Sequence, residues 1–187
     1  FFYFLLIAMK ILYTKIFSIV FYLFHCFHTC PQGFSQLEDL FMNALTLKVA
    51  VSLVNAALAA GRKISSAPLT VAVLDGGGHL LALQREDGAS LLRPQVAMGK
   101  AWGAIALGKG SRLLALDAQQ RPAFFAALNG MGQSPVVPAP GGVLIRNQQG
   151  VVLGAIGISG DTSDIDEQCA ISAIEEAGLT ADAGVVV

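Results

Sequence analysis

The sequence predicts an α/β (α+β) domain in which helices flank a mostly antiparallel sheet. Composition changes abruptly at Met42: residues 1–41 hold nine of the eleven Phe and all three Tyr but one of the twenty Gly. Beyond that point, apolar runs of strand length come in two pairs, each pair joined by a glycine-bearing turn. Helical stripes stand before, between and after the pairs. The order is therefore helix, hairpin, helices, hairpin, helix, and helices so placed bury both faces of a sheet. A chain of 187 residues is long enough for one such domain and its core.

Thr46 is the expected cap of a first helix running to Ala60, with Leu47, Val51, Val54 and Leu58 on one stripe and Gly61 at its stop. Leu69 to Leu74 reads as a buried strand. Asp75-Gly76-Gly77-Gly78 is a turn, because glycine tolerates positive φ, and His79 to Arg85 returns as the second strand of a hairpin. After the polar loop 86–90, Pro94 suits the first turn of a helix, where a missing N–H costs little. That helix carries a large stripe (Met98, Trp102, Ile105) and a small one (Ala97, Ala101, Ala104) that permits close backbone packing. Gly108-Lys109-Gly110 ends it, and short helices are predicted at 111–119 and 122–128. Residues 132–142, with Pro135, Pro138 and Pro140, form a constrained loop. Val143 to Arg146 and Val151 to Ser159 make the second hairpin around Asn147-Gln148-Gln149-Gly150. Thr162 or Ser163 starts a last helix reaching about Ala177, with Ser163 and Asp166 spaced like a capping box. Residues 180–187 are expected to be a frayed apolar tail.

Residues 1–41 have a different character. Lys10 and Lys15 ahead of the apolar run Ile16 to Phe27 give the basic-then-apolar layout of a signal segment. No small-x-small cleavage site follows, and the two lysines interrupt a run that would have to reach about 20 residues to span a membrane. Phe, Tyr, Ile, Leu and Lys are what AT-rich DNA encodes, whereas Ala, Gly and Val mark GC-rich coding sequence. Leu37-Glu38-Asp39 also matches what a ribosome-binding site would encode in frame. We therefore expect Met42 to be the start and 1–41 to be upstream sequence read in frame, with a cytoplasmic location. The alternative is a genuine signal segment and an exported protein.

Charge excludes some functions. Lys10, Lys15, Glu38 and Asp39 fall before Met42, which leaves ten basic and eleven acidic residues beyond it. No basic stripe or run is present, so a nucleic-acid partner is not expected, nor is a membrane for 42–187. Cys169 is the one cysteine after Met42, which rules out a disulfide or multi-cysteine metal site inside the domain.

Several motifs carry candidate chemistry. Gly76–Gly78 is followed by a strand and lacks the Lys-Ser/Thr of a phosphate loop, and Gly154-x-x-Gly157-x-x-Gly160 is better suited to close helix packing than to a dinucleotide. Ser159-Gly160-Asp161-Thr162 leads from a strand into a helix N-terminus, where free N–H groups favour a carboxylate or phosphate. Asp166 and Glu167 lie in that first turn about 100° apart, so they do not face each other as an acid–base pair; the helix dipole accounts for both. Arg93 and Lys100, seven apart on the small-residue helix, share a face and suit the propionates or carboxylate of a ligand. His79, the one histidine after Met42, is the candidate iron ligand, with Met98, Met131 and Cys169 as softer candidates. With a single histidine and no nucleophile elbow, no Ser-His-Asp set is assigned.

Five ordered blocks resemble the GlcG/HbpS haem-binding (haem-degrading-like) family: Val71 to Leu80, Asp87 to Ser90 with Lys100-Ala101-Trp102, Pro140 to Ile145, Gly154 to Gly160, and Asp166-Glu167. The resemblance runs from about Met42 to Gly178. It implies a profilin-like α-β-α sandwich, a bacterial homo-oligomer, and haem or a related tetrapyrrole as ligand. It also implies kinship with domains found beside corrinoid adenosyltransferases, secreted haem sensors and proteins of glycolate-utilisation operons. The expected ligand-binding set is Arg93, Lys100, Gly141, Gly142, Ser159, Gly160, Asp166 and Glu167, with His79 for haem iron. The expected function is non-catalytic haem binding. The alternative is an enzyme or accessory protein acting on a small carboxylated metabolite, gripped by Arg93 and Lys100 with Asp166 or Glu167 as base.

Overall fold

The computed structural model describes residues 44–131 and 134–184. The chain divides into two units, Phe1–Met42 and Asn43–Val187; the expectations for residues 1–41 fall on the first, outside the described residues.

Helix α1 spans Leu47–Lys63. The Thr46 hydroxyl accepts from the Val49 N–H at 3.4 Å, which satisfies one of the donors a helix start leaves over. The stripe facing the sheet is Ala50, Leu53, Val54, Ala57 and Gly61; of the predicted stripe Val54 belongs to it and Leu58 packs at its edge, while Leu47 and Val51 are exposed. The helix is apolar on two overlapping faces, and the smaller one wins because it approaches the sheet more closely. Gly61 lies inside the helix instead of ending it: a Cβ there would stand 2.5 Å from Leu69 Cδ1.

Strands β1 (Thr70–Asp75) and β2 (Leu80–Arg85) form the first hairpin, closed by Gly78 at φ +81°. Helix α2 (Arg93–Leu107) ends on Gly108 at φ +68°, followed by α3 (Ser111–Gln120) and α4 (Pro122–Met131). Strands β3 (Gly142–Arg146) and β4 (Val152–Ser159) form the second hairpin, and α5 (Ser163–Glu176) follows. The tail expectation fails in part: Thr180–Asp182 is a fifth strand, β5, paired with β3. Its Asp182 meets Arg146 at 2.8 Å. Three residues are too few to show an alternating pattern, so only the partner strand defines the element; residues 185–187 lie outside the described ones.

The sheet order is β2-β1-β4-β3-β5, antiparallel throughout. Alternation along each strand sends side chains to opposite faces. Val71, Val73, Ile156 and Ile158 join Leu53, Ala57, Ala173 and Ile174 under α1 and α5. Leu74, Leu144 and Ala155 join Ala101 and Ala104 under α2. The small stripe of α2 acts as predicted, since a Cβ on Gly157 would lie 2.0 Å from the Ala97 carbonyl oxygen. Leu114, Phe125 and Val136 form a third cluster beside Trp102. Helices on both faces of one antiparallel sheet are the predicted α+β architecture.

Candidate functional site

Close packing of α2 on β4 forces Lys100 into the interior, where it is 3 % exposed. A buried ammonium needs partners, and it has two: Nζ donates to Asp166 Oδ2 at 2.8 Å and to the Ile158 carbonyl at 2.9 Å. Asp166, equally buried, accepts from the Asp161 N–H at 3.1 Å through its other oxygen. Burial pushes the Lys100 ammonium down and the Asp166 carboxyl up, each held back by the charge of the other. Thr162 caps α5 without a side-chain bond, so the expected Ser163–Asp166 capping box does not form. Asp166 turns inward to Lys100 instead. The same pair determines the loop before β3. Gly141 sits at φ +113°, and a Cβ there would be 3.0 Å from Lys100 Nζ and from Asp166 Cβ. The Gly142 N–H donates to Ser111 Oγ at 2.7 Å.

Glu167 points to a different partner. Its Oε1 accepts from Arg112 Nε at 2.8 Å, and Arg112 also reaches Asp164. Burial raises the Glu167 carboxyl, opposed by Arg112, and Oε2 is buried with no hydrogen-bond partner among the described residues. Arg93 donates to Ser159 Oγ at 3.1 Å. Gly160 packs its backbone on Pro68, whose carbonyl oxygen would be 2.4 Å from an added Cβ. Of the predicted residues, Lys100, Asp166, Gly141 and Gly142 gather in one group and Arg93 with Ser159 in another, while Glu167 turns to Arg112 and Gly160 packs on Pro68.

Sequence reasoning missed Arg112, 55 positions from Glu167, and Asp161. The Asp161 carboxylate accepts from the Ala67 N–H and the Thr162 N–H, both at 2.7 Å, and these bonds hold its carboxyl below the usual aspartate range. A lowered native pKa stabilises the fold above that range, and the contribution is lost as pH falls through the native value. Asp161→Asn should therefore lose less melting temperature than wild type between neutral pH and about pH 3. Equal losses would show that the carboxylate adds nothing specific.

His79 lies apart from both groups. Ser159 pairs with Thr70 at the start of β1, whereas His79 follows the end of that six-residue strand, roughly 20 Å away at the usual strand rise. Its imidazole is 83 % exposed, with Nδ1 3.4 Å from Asp75 Oδ1. Asp75 Oδ1 also accepts the Gly77 and His79 N–H groups, both at 2.9 Å. Beside this turn is a hollow of about 240 Å³ between Leu74, Leu80, Met98 and Trp102, with Gln95 and Ser134 on its lining. Cys169 is sealed in the core and Met131 is 80 % exposed.

The family described as haem degrading protein, HbpS-like, matches residues 45–175. The chain belongs to the HbpS-like family. A 15.0 kDa protein encoded between dhaT and dhaS in Citrobacter freundii is 33 % identical over 132 residues, covering 70 % of this chain and 90 % of that one. The crystal structure of a PduOC–haem complex superposes with a TM-score of 0.64 at 28 % identity, covering 73 % of this chain and 96 % of its own. A double mutant of Streptomyces reticuli HbpS gives 0.62 at 28 % identity, covering 71 % and 86 %. The two solved structures share the α+β architecture. Among the described residues, no helix is long and apolar enough to cross a membrane.

Proposed function

We propose that the domain binds haem or a related tetrapyrrole as a homo-oligomer, without a catalytic role of its own. The observation that carries the reading is the imidazole at the hairpin tip, in a chain that shares its fold and family with a haem complex. A macrocycle brings four nitrogens to its iron, so one protein donor suffices to ligate it. Asp75 Oδ1 lies 3.4 Å from Nδ1 without a hydrogen bond to the ring, so Nε2 would be the nitrogen left to meet a metal. The adjoining hollow offers apolar side chains to an apolar ring. Haem would supply an iron centre and its absorbance; the chain would supply the His79 imidazole and the apolar side chains beside its turn. Leu91 and Leu92, 79 % and 67 % exposed side by side before α2, support association between copies.

In this reading Lys100 and Asp166 contribute by holding α2, β4 and α5 together, and Arg93, bonded to Ser159 at the far end of β1 from His79, takes no part in holding the same ring. The metabolite alternative gains little from the geometry, because a ligand carboxylate would have to displace Asp166 from Lys100. Titration of the protein with hemin should give a saturable Soret shift, and His79→Ala should weaken it by about tenfold or more. A wild-type spectrum that never saturates would end the reading, and sedimentation of the same sample at one monomer's mass would remove its oligomeric part.

A further inference from the structure

We infer that the hollow beneath Trp102 is where the apolar edge of a planar macrocycle enters the domain. The inference rests on the tetrapyrrole reading but concerns residues outside the sequence-predicted set. At about 240 Å³ the hollow falls below the roughly 300–1,000 Å³ of sites that engulf a drug-sized ligand. It therefore takes one edge of a macrocycle and leaves the carboxylated side in water. Its walls suit that edge: Leu74 from β1, Leu80 from β2, and Met98 and Trp102 from α2, with Gln95 and Ser134 as the polar groups. A thioether and an indole are the side chains that adapt best to a flat π-surface.

The walls of the hollow are tightly packed where glycine backbone meets a neighbouring element. Gly78 sits at φ +81°, and a Cβ there would be 2.2 Å from Trp102 Cζ3, so the indole fills the space a side chain would take. On the opposite wall a Cβ on Gly99 would be 2.6 Å from Val137 Cγ2 and 2.9 Å from the Pro135 carbonyl oxygen, which fixes α2 against the proline loop. Leu80 is left 50 % exposed beside this opening. The residue after Gly78 is His79, so the apolar wall and the imidazole belong to one turn. His79 does not itself line the hollow, and its exposed imidazole stands beside Asp75 in the same turn.

The test uses the 187-residue chain and two probes, hemin and metal-free protoporphyrin, followed by porphyrin absorbance. Leu80→Trp and Gln95→Trp each place an indole into the opening from a half-exposed or exposed position, and circular dichroism with the melting temperature checks that they fold. Wild type should bind both probes saturably. Each filled variant should bind both at least tenfold more weakly, while His79→Ala should keep metal-free protoporphyrin within about twofold because that probe has no iron to ligate. Folded variants that bind hemin as tightly as wild type would overturn the cleft and leave haem binding intact, as would hemin binding without any binding of the metal-free ring. Failure of wild type to bind hemin would instead remove the functional reading itself.

Discussion

Lys100→Ala should lower the melting temperature by about 6–20 °C. Removing one member of a buried ion pair costs about 3–5 kcal/mol, because the remaining charge stays desolvated and unpaired. For a domain of this size each kcal/mol is worth about 2–4 °C, rising somewhat for smaller ones. Asp166 would keep only the Asp161 N–H, at the junction where α2, β4 and α5 meet. Lys100→Met combined with Asp166→Leu should recover about half of the loss, since a buried pair exchanged for apolar groups is often close to neutral. The remainder reflects the Ile158 carbonyl and the Asp161 N–H, each left without its partner at about 1–3 kcal/mol. Thermal or urea unfolding of Lys100→Met, Asp166→Leu and the double variant closes the cycle. Strict additivity would mean that the two residues do not act as a pair.

Gly157→Ala should cost at least about 3 kcal/mol, an unusually large loss for one methyl group. The added carbon would lie 2.0 Å from the Ala97 carbonyl oxygen and 2.9 Å from the Ala101 nitrogen. Both are backbone atoms of α2, so no rotamer change relieves the clash and the helix must lift from β4. Gly130→Ala is the matched control. It lies in a helix with nothing within 4 Å of its Cβ position and should gain up to about 1 kcal/mol from helix propensity. Urea midpoints at constant slope measure both. Comparable small effects at the two sites would contradict the close packing of α2.

Much of the fold was legible because its signals are local. The Gly78 and Gly150 turns need positive φ, the Ala97/Ala101/Ala104 stripe announces close approach, and Thr46 announces a helix start. Each is decided within a few residues of chain. The rotation of α1 was not legible, since its leucines and valines populate two overlapping stripes and only the sheet selects one. Strand β5 was not legible either, because three residues define a strand only once β3 is beside them.

The candidate site divides in the same way. Residue type and spacing singled out Lys100, Asp166, Gly141 and Ser159, but not that Lys100 would turn inward to Asp166, 66 positions away. Nor did they link Arg112 with Glu167, or set Trp102 against Gly78. The sequence by itself determined the order of the helices and the two hairpins and their turns, because backbone propensity and periodicity act over short range, and its five motif blocks carried the family resemblance. Only the tertiary structure decided which charges pair and where the apolar hollow opens. Those depend on distances across the sheet that no local pattern encodes.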